Sequence, residues 1–525
     1  GSRKLPDADN LQRLPSKRGR GAPCRTHRWH RHRRRRLLDC FVVPPRNDDK
    51  TTTYKSSTTM DRRDFLKHIG GAAVATSVVL SACKSDDDET PIAKNVIDGQ
   101  GEMTYRINPN SGDKVSILGY GMMRLPVEEG GTLRDHPNSP LDQELINQEI
   151  DYALEHGVNY IDTSPVYCKG MSEHATGIAL ARHPRNSYYI ATKLSNFSPS
   201  IWSTEASKAM FENSLKELQT DTIDYLLLHS IGGESKEMSS MELFNARFMD
   251  NGILDWLVEQ KEAGRIRNLG FSFHGDPKLF DTMLQWHDEG RYHWDFAQIQ
   301  MNYVDWNYAH RIEPENVNAS YLYNELHKRG IPGVIMEPLL GGQLATLPDY
   351  IVKQMKEREP ETPVARWAFR YAGTPEGILT VLSGMTYMEH LKQNVATYSP
   401  LRPITAEEDE FLMKVAEEFV ELKIVPCTTC NYCMPCPYGL NIPVIFDFYN
   451  KCVTAGKMPA GNTEAREYQE ARKRFLIGYD RHIPSLRQAS HCIGCNQCVE
   501  HCPQKINIPE ELQRIDDYVE QLKQM

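Results

Sequence analysis

Residues 103–400 predict an α/β fold, a (β/α)8 (TIM) barrel, followed at 426–525 by a small α-helical domain rich in cysteine. Three observations carry the barrel. Eight short apolar runs alternate with amphipathic helical windows between residue 115 and residue 400. The runs are continuous rather than alternating; Ile223–Leu228, IDYLLL, is the clearest. Such a run suits a strand covered on both faces, as in a parallel barrel. Polar residues stand at or just past the ends of several runs, where barrels keep their chemistry: Asp162, Lys193 and His229. A doubly wound sheet is the alternative arrangement of the same alternation.

The eight strands are expected at 115–120, 158–162, 187–192, 223–228, 267–272, 295–300, 331–336 and 378–382. Helices fall between them, among them Asp142–His156, Thr204–Gln219 and Ile253–Ala263. A hairpin is expected first, because Met103–Asn108 and Val115–Leu118 flank the turn sequence Asn110-Ser111-Gly112-Asp113. Residues 401–425 read as a helix returning to the barrel, ended by Pro426. Between the two cysteine runs lie helical patterns at Val444–Cys452 and Glu464–Ile477. A short acidic helix is expected after Pro503.

The N-terminal 102 residues read differently. Residues 1–59 hold 16 Lys+Arg against 5 Asp+Glu, a surplus of 11 in a chain of net charge −9, so the remainder stands near −20. An acidic body of that kind gives no support for nucleic-acid binding. The basic arm, with Arg33–Arg36 in a row, reads as a disordered or non-native extension, because Met60 is the first methionine and a leader follows it. Residues 61–83, DRRDFLKHIGGAAVATSVVLSAC, have a charged start, a short apolar centre and small residues before Cys83. No apolar stretch reaches the roughly 18–20 residues of a membrane-spanning helix. Arg62-Arg63-Asp64-Phe65-Leu66-Lys67 resembles a twin-arginine export core, and Leu80-Ser81-Ala82-Cys83 resembles a bacterial lipoprotein cleavage site. That resemblance implies export, acylation of Cys83 and a lipid-anchored protein on the periplasmic or cell-surface side. Residues 84–102, opening with Lys84-Ser85-Asp86-Asp87-Asp88-Glu89, then read as an acidic linker.

The polar residues Asp162, Tyr167, Lys193 and His229 form a set with a chemical logic. Hydride addition to a carbonyl leaves charge on oxygen, so a proton donor must stand there. A phenol with its pKa near ~10 is a poor donor at neutral pH, and a neighbouring ammonium improves it. Lys193 is expected to do this for Tyr167, with Asp162 holding the lysine and His229 orienting the carbonyl oxygen. Asp162-Thr163-Ser164 with Tyr167, Ala191-Thr192-Lys193, Leu228-His229, Gly270-Phe271-Ser272 and Gln300 together resemble the aldo-keto reductase superfamily across 103–400. The resemblance implies Tyr167 as acid and NAD(P) as cofactor, with Ser272 and Gln300 at the nicotinamide carboxamide and Asn394 near adenine. Two features depart from the family. Met336-Glu337-Pro338 stands where an aromatic commonly underlies the nicotinamide, and Ser383-Gly384-Met385-Thr386 lacks a cation for a 2′-phosphate. The choice between NAD and NADP is therefore open. Substrate specificity is expected in the loops 230–250 and 301–316. Cys168, beside Tyr167, reads as a loop residue.

Eight of the 13 cysteines lie in two runs: Cys427, Cys430, Cys433, Cys436 before Pro437, and Cys492, Cys495, Cys498, Cys502 before Pro503. Two runs of four exceed what a zinc ribbon needs, and their crowding argues against disulfides. They resemble two-cluster [4Fe–4S] ferredoxin domains of the α-helical kind. By that likeness Cys427, Cys430, Cys433 and Cys502 hold one cluster, and Cys492, Cys495, Cys498 and Cys436 the other. Cys452 reads as buried packing. The whole then reads as an oxidoreductase acting on a small carbonyl or alcohol, coupled to one-electron transfer and to a redox partner protein. A barrel that only relays or senses electrons is the alternative.

Overall fold

The computed structural model describes residues 101–235, 237–312 and 316–525. The basic arm, the export segment with Cys83 and the linker to residue 100 lie outside them. The described residues belong to one compact unit.

A closed, all-parallel eight-stranded barrel forms the larger part. Its strands are β3 (Leu118–Gly121), β4 (Tyr160–Asp162), β5 (Tyr189–Leu194), β6 (Ile223–Ile231), β7 (Ile266–Phe273), β8 (Phe296–Gln300), β9 (Gly333–Met336) and β10 (Ile378–Ser383). β10 pairs with β3 to close the ring. The barrel interior is filled by Tyr160, Ala191, Tyr225, Leu227, Phe296, Val334 and Leu379, so it is a packed core and not a pore. A second apolar layer lies between the strands and the surrounding helices, with Ile161, Ile190, Leu226 and Leu228 on the strand side.

The expected first strand divides. Lys114–Ser116 (β2) pairs antiparallel with Tyr105–Ile107 (β1), and the barrel strand begins only at Leu118. The hairpin lies at the N-terminal end of the barrel. Asp113, in its turn, accepts from the Tyr225 hydroxyl (2.9 Å) and from Asn268 Nδ2 (3.1 Å) near the starts of β6 and β7. The opposite, C-terminal mouth is left free for chemistry. β6 also runs farther than expected, to Ile231: His229 lies within it, directly after Leu228, where the pairing with β7 shifts register.

Helix Ala406–Val420 starts from a capping box, Thr405 with Glu408, and returns Phe411, Leu412, Val415, Ala416 and Phe419 to the barrel's outer core. Residues 425–522 build a separate apolar core from three helices, Ile442–Thr454, Arg466–His482 and Ile508–Gln524. The last is 17 residues long, not short, because Ile508, Leu512, Ile515, Val519 and Leu522 recur at helical spacing and bury one face. Cys452 is buried in that core, on the first of these helices. No helix among the described residues is long and apolar enough to cross a membrane.

Candidate active site

Strand ends deliver the four polar residues to one place. Asp162 ends β4, Lys193 is the penultimate residue of β5, and His229 stands near the end of β6. Tyr167 opens the turn Tyr167–Gly170 that follows β4. Lys193 Nζ donates to Asp162 Oδ1 at 2.7 Å and to the Thr163 carbonyl at 2.8 Å. It also lies 4.7 Å from the centroid of the Tyr167 ring, over its face. The Tyr167 and His229 rings meet edge-on at 6.0 Å. All four residues are buried.

The electrostatics differ from the expectation in one respect. The Tyr167 phenol is pushed well above its ordinary value, first by burial and then by Tyr432, Asp162, Glu337 and Cys168. Lys193 lies over the face of this ring while bonded to Asp162 and to the Thr163 carbonyl, and burial outweighs it at the phenol. Burial lowers the Lys193 ammonium and raises the Asp162 carboxyl, while each draws the other back toward its charged form. His229 is held well below its ordinary value by burial, then by Lys193, Arg247 and His274, so the imidazole is neutral. Its Nδ1 lies 2.6 Å from Ser195 Oγ, which fixes the ring. Arg247 holds the same strand end from below, donating to the carbonyls of His229 (2.6 Å) and Ser230 (3.0 Å). Cys168 turns its thiol toward the Met123 carbonyl (3.4 Å) and is raised to about 11 by burial, as suits a loop residue.

The residues expected at a nicotinamide nucleotide are hydrogen-bonded within the protein. Ser272 Oγ accepts the Ser230 amide at 2.7 Å. Gln300 donates to Asp305 (2.8 Å), and its side-chain carbonyl accepts from Gln504 Nε2 at 2.9 Å. Asn394 donates to Ser383 Oγ at 3.0 Å, at the end of β10. Asp305 is raised to about 6, by burial against the opposing pull of Gln300 and Asn302. Arg124, just after β3, donates to the Thr428 carbonyl at 2.7 Å. A nicotinamide carboxamide fits this seat only if the Gln300–Gln504 pair parts.

Gln504 and Thr428 belong to the cysteine module, whose loops sit on the barrel mouth. Thr428 packs so closely on Gly341, in the turn after β9, that a Cβ there would lie 2.3 Å from the Thr428 Cα. Gly341 adopts a φ of +67°, which a glycine tolerates without cost. Gln343 donates to the Cys427 carbonyl at 3.1 Å, and Arg134 pairs with Asp447 at 2.7 Å. Tyr432, between Cys430 and Cys433, borders the same cavity as Tyr167, and its phenol is near enough to raise that of Tyr167. Its ring lies 6.4 Å from Phe197, which in turn lies 4.9 Å from His229. A cavity of about 1300 Å³ opens between barrel and module, bordered by Tyr167, Phe197, Tyr432, Cys430, Cys502 and Lys505 among others.

The eight thiols fall into two neighbourhoods. Cys427, Cys430, Cys433 and Cys502 raise one another, beneath a larger effect of burial. Cys498, raised to about 11 by burial, feels Cys492, Cys495 and Cys436. Cys433 and Cys502 also feel Cys498, so the two neighbourhoods adjoin. Among the described residues no three His, Cys, Asp or Glu converge as ligands of a single ion would. A cubane does not require that, since each thiolate meets a different iron. Four soft thiols in each neighbourhood are the kind and number of donors that such a group takes.

Sequence reading alone did not find Tyr432, Gln504, Phe197, Ser195 or Arg247. Only Tyr432 carried a local signal, as a bulky aromatic inside a tight Cys-x2-Cys loop.

The family model "Aldo/keto reductase family" matches residues 117–410, and "4Fe-4S dicluster domain" matches 426–507. L-galactose dehydrogenase of Arabidopsis thaliana is 24% identical over 322 residues, covering 57% of this chain and 89% of the relative. Protein tas of Escherichia coli is 29% identical over 194 residues, covering 32% of this chain and 52% of its own length. Among solved structures, an aldo-keto reductase of Bacillus halodurans in its holo form is 24% identical with a TM-score of 0.44, covering 60% of this chain and 96% of that one.

Proposed function

The chain belongs to the aldo/keto reductase family, and from that premise we propose that it is a carbonyl-reducing oxidoreductase whose electrons pass through two [4Fe–4S] clusters in its C-terminal module. The observation that supports this best is the cavity bordered by Tyr167 on the barrel and by Cys430, Tyr432 and Cys502 on the module. It brings the cysteine loops and the proton donor of the barrel to one space.

Tyr167 is the acid. The phenol is protonated throughout the neutral range, the form needed for reduction, and its burial opposes release of the proton until charge develops on the carbonyl oxygen. His229 is neutral and fixed through Nδ1, so Nε2 is left to bond the carbonyl oxygen and orient it. The Asp162–Lys193 pair holds the Tyr167 ring in place from its face. Cys427, Cys430, Cys433 and Cys502 would hold one cluster, and Cys436, Cys492, Cys495 and Cys498 the second, supplying one-electron transfer. The substrate is a small molecule entering the cavity beside Tyr167, and a soluble redox protein is the expected electron partner. The leader sequence adds a location: export by the twin-arginine route and a lipid anchor on Cys83, which metabolic labelling with a radioactive fatty acid would test through Cys83→Ser.

Anaerobic preparation with iron and sulfide analysis, followed by a carbonyl panel for wild type and Tyr167→Phe, tests the enzymatic reading. Turnover lowered by a factor of about 10²–10⁴ in Tyr167→Phe is expected. Clusters that reduce and reoxidise with no turnover on any carbonyl would assign the barrel to electron relay instead.

A further inference from the structure

The seat expected for a nicotinamide is closed by the module that carries the cysteines. Gln504 follows Cys502 by two residues and takes the carboxamide pairing of Gln300. Ser272 is held by the Ser230 amide, and Arg124 by the Thr428 carbonyl. Ser272, Gln300 and Asn394 do not border the cavity; Tyr167, Phe197, Tyr432, Cys430 and Cys502 do. A molecule in that cavity touches the proton donor on one side and the cysteine loops on the other.

We propose that the substrate is a conjugated carbonyl of the quinone class, reduced by single electrons delivered from the module, with no nicotinamide between them. The proposal rests on the enzymatic reading above and narrows it. Electrons that arrive one at a time require a substrate that tolerates the halfway stage. A simple ketone concentrates the added electron on one C–O bond, whereas a quinone spreads it over the ring and both oxygens. The cavity walls suit a conjugated ring, since Phe197 and Tyr432 both border it as adjoining aromatic rings, 6.4 Å apart and tilted 54° to each other.

The balance is simple. The quinone gains two electrons and two protons and becomes the hydroquinone; the C=O π bonds break, the ring becomes aromatic, and two O–H bonds form. Tyr167 gives one proton and recovers it from solvent, and water in the open cavity gives the other. The electrons come from a low-potential one-electron carrier protein, which is oxidised twice per turnover.

The test uses the full chain, prepared anaerobically with its iron and sulfide and reduced with dithionite removed by gel filtration. Menadione or cyclohexanone is then added in stopped flow, and reoxidation is followed by visible absorbance and electron paramagnetic resonance. NADH and NADPH binding is measured separately by equilibrium dialysis. The expected result is reoxidation by menadione, none by cyclohexanone, and no retention of either nucleotide at 1 mM or below on the order of millimolar affinity. Tyr167→Phe should slow reoxidation at least tenfold with iron content unchanged, which separates reaction in the cavity from collision at the surface. Gln504→Ala should allow nucleotide binding. Equal reoxidation rates in wild type and Tyr167→Phe overturn the proposal. So does micromolar nucleotide binding by wild type; if that comes with NADPH-dependent reduction of simple aldehydes, the enzymatic reading stands while this one fails.

Discussion

Removing the ammonium of Lys193 should cost more than removing both members of its ion pair. Lys193 and Asp162 are 1% and 2% exposed, and their contact is 2.7 Å. Asp162 Oδ2 already has no hydrogen-bond partner, so in Lys193→Met the carboxylate would lose its remaining support at Oδ1. Stranding a buried charge in this way costs about 3–5 kcal/mol. Asp162→Asn leaves the ammonium its Thr163 carbonyl, and a loss of about 2–3 kcal/mol is expected, at the lower end for a broken buried pair. In the double variant no charge is stranded, and a loss of only about 1–2 kcal/mol is expected, because a buried pair replaced as a unit is often near neutral. The coupling, roughly 3 kcal/mol or more, is read from urea unfolding followed by tryptophan fluorescence at constant m-value. Single and double variants whose losses simply add would refute the reasoning.

Other substitutions report on neighbouring features. Glu173, buried behind the site and bonded to Thr192, is raised to about 7 from 4.5 by burial. The folded protein therefore binds the extra proton between those values, and the stability this carries is full below pH 4.5 and lost as pH rises through 7; Glu173→Gln should remove on the order of 3 kcal/mol of that slope, seen as urea midpoints at pH 5 and 7.5 drawing together. Gly341→Ala places a methyl 2.3 Å from the Thr428 Cα, so limited proteolysis should cut the 426–436 loop at least several-fold faster while the barrel's circular dichroism is kept. Cys502→Ser and Cys436→Ser should each halve the iron content but leave electron paramagnetic resonance signals of different clusters; identical residual signals would contradict the exchanged ligation.

The barrel was legible because its signal is local. Continuous apolar runs such as Ile223–Leu228 state burial on both faces, and strand-end polar residues state where the chemistry lies. Register at the ends was less so. The Val115–Tyr120 run gives no sign that it breaks at Ile117 to serve a hairpin first and the barrel second. That burial would raise the Tyr167 phenol was not legible either. Spacing brings Lys193 to Asp162 and Tyr167, but does not say that the ammonium lies over the face of the ring with a second bond to the Thr163 carbonyl. Ser195 and Arg247, which fix His229, are a serine and an arginine of ordinary kind until the fold brings them to that ring and its carbonyl.

The residues that close the mouth were illegible because they depend on two separately folded cores meeting. Gln300 and Gln504 lie 204 positions apart, and neither belongs to a periodic pattern that points at the other. Their meeting nevertheless gives meaning to the two departures noted in the sequence. Where relatives place an aromatic under a nicotinamide, Glu337 accepts the amide of Gly341 at 2.6 Å and so shapes the turn on which Thr428 rests. Where a phosphate anchor is expected, the β10 loop has no cation, and the nearby Arg124 is turned to the module's backbone. Gln300, Glu337 and Arg124 thus all support the docked cysteine loops, directly or through the turn at Gly341. On the proposal above, the module's seat takes the place of a nucleotide's anchors at this mouth, and the electron source for Tyr167's chemistry moves with it.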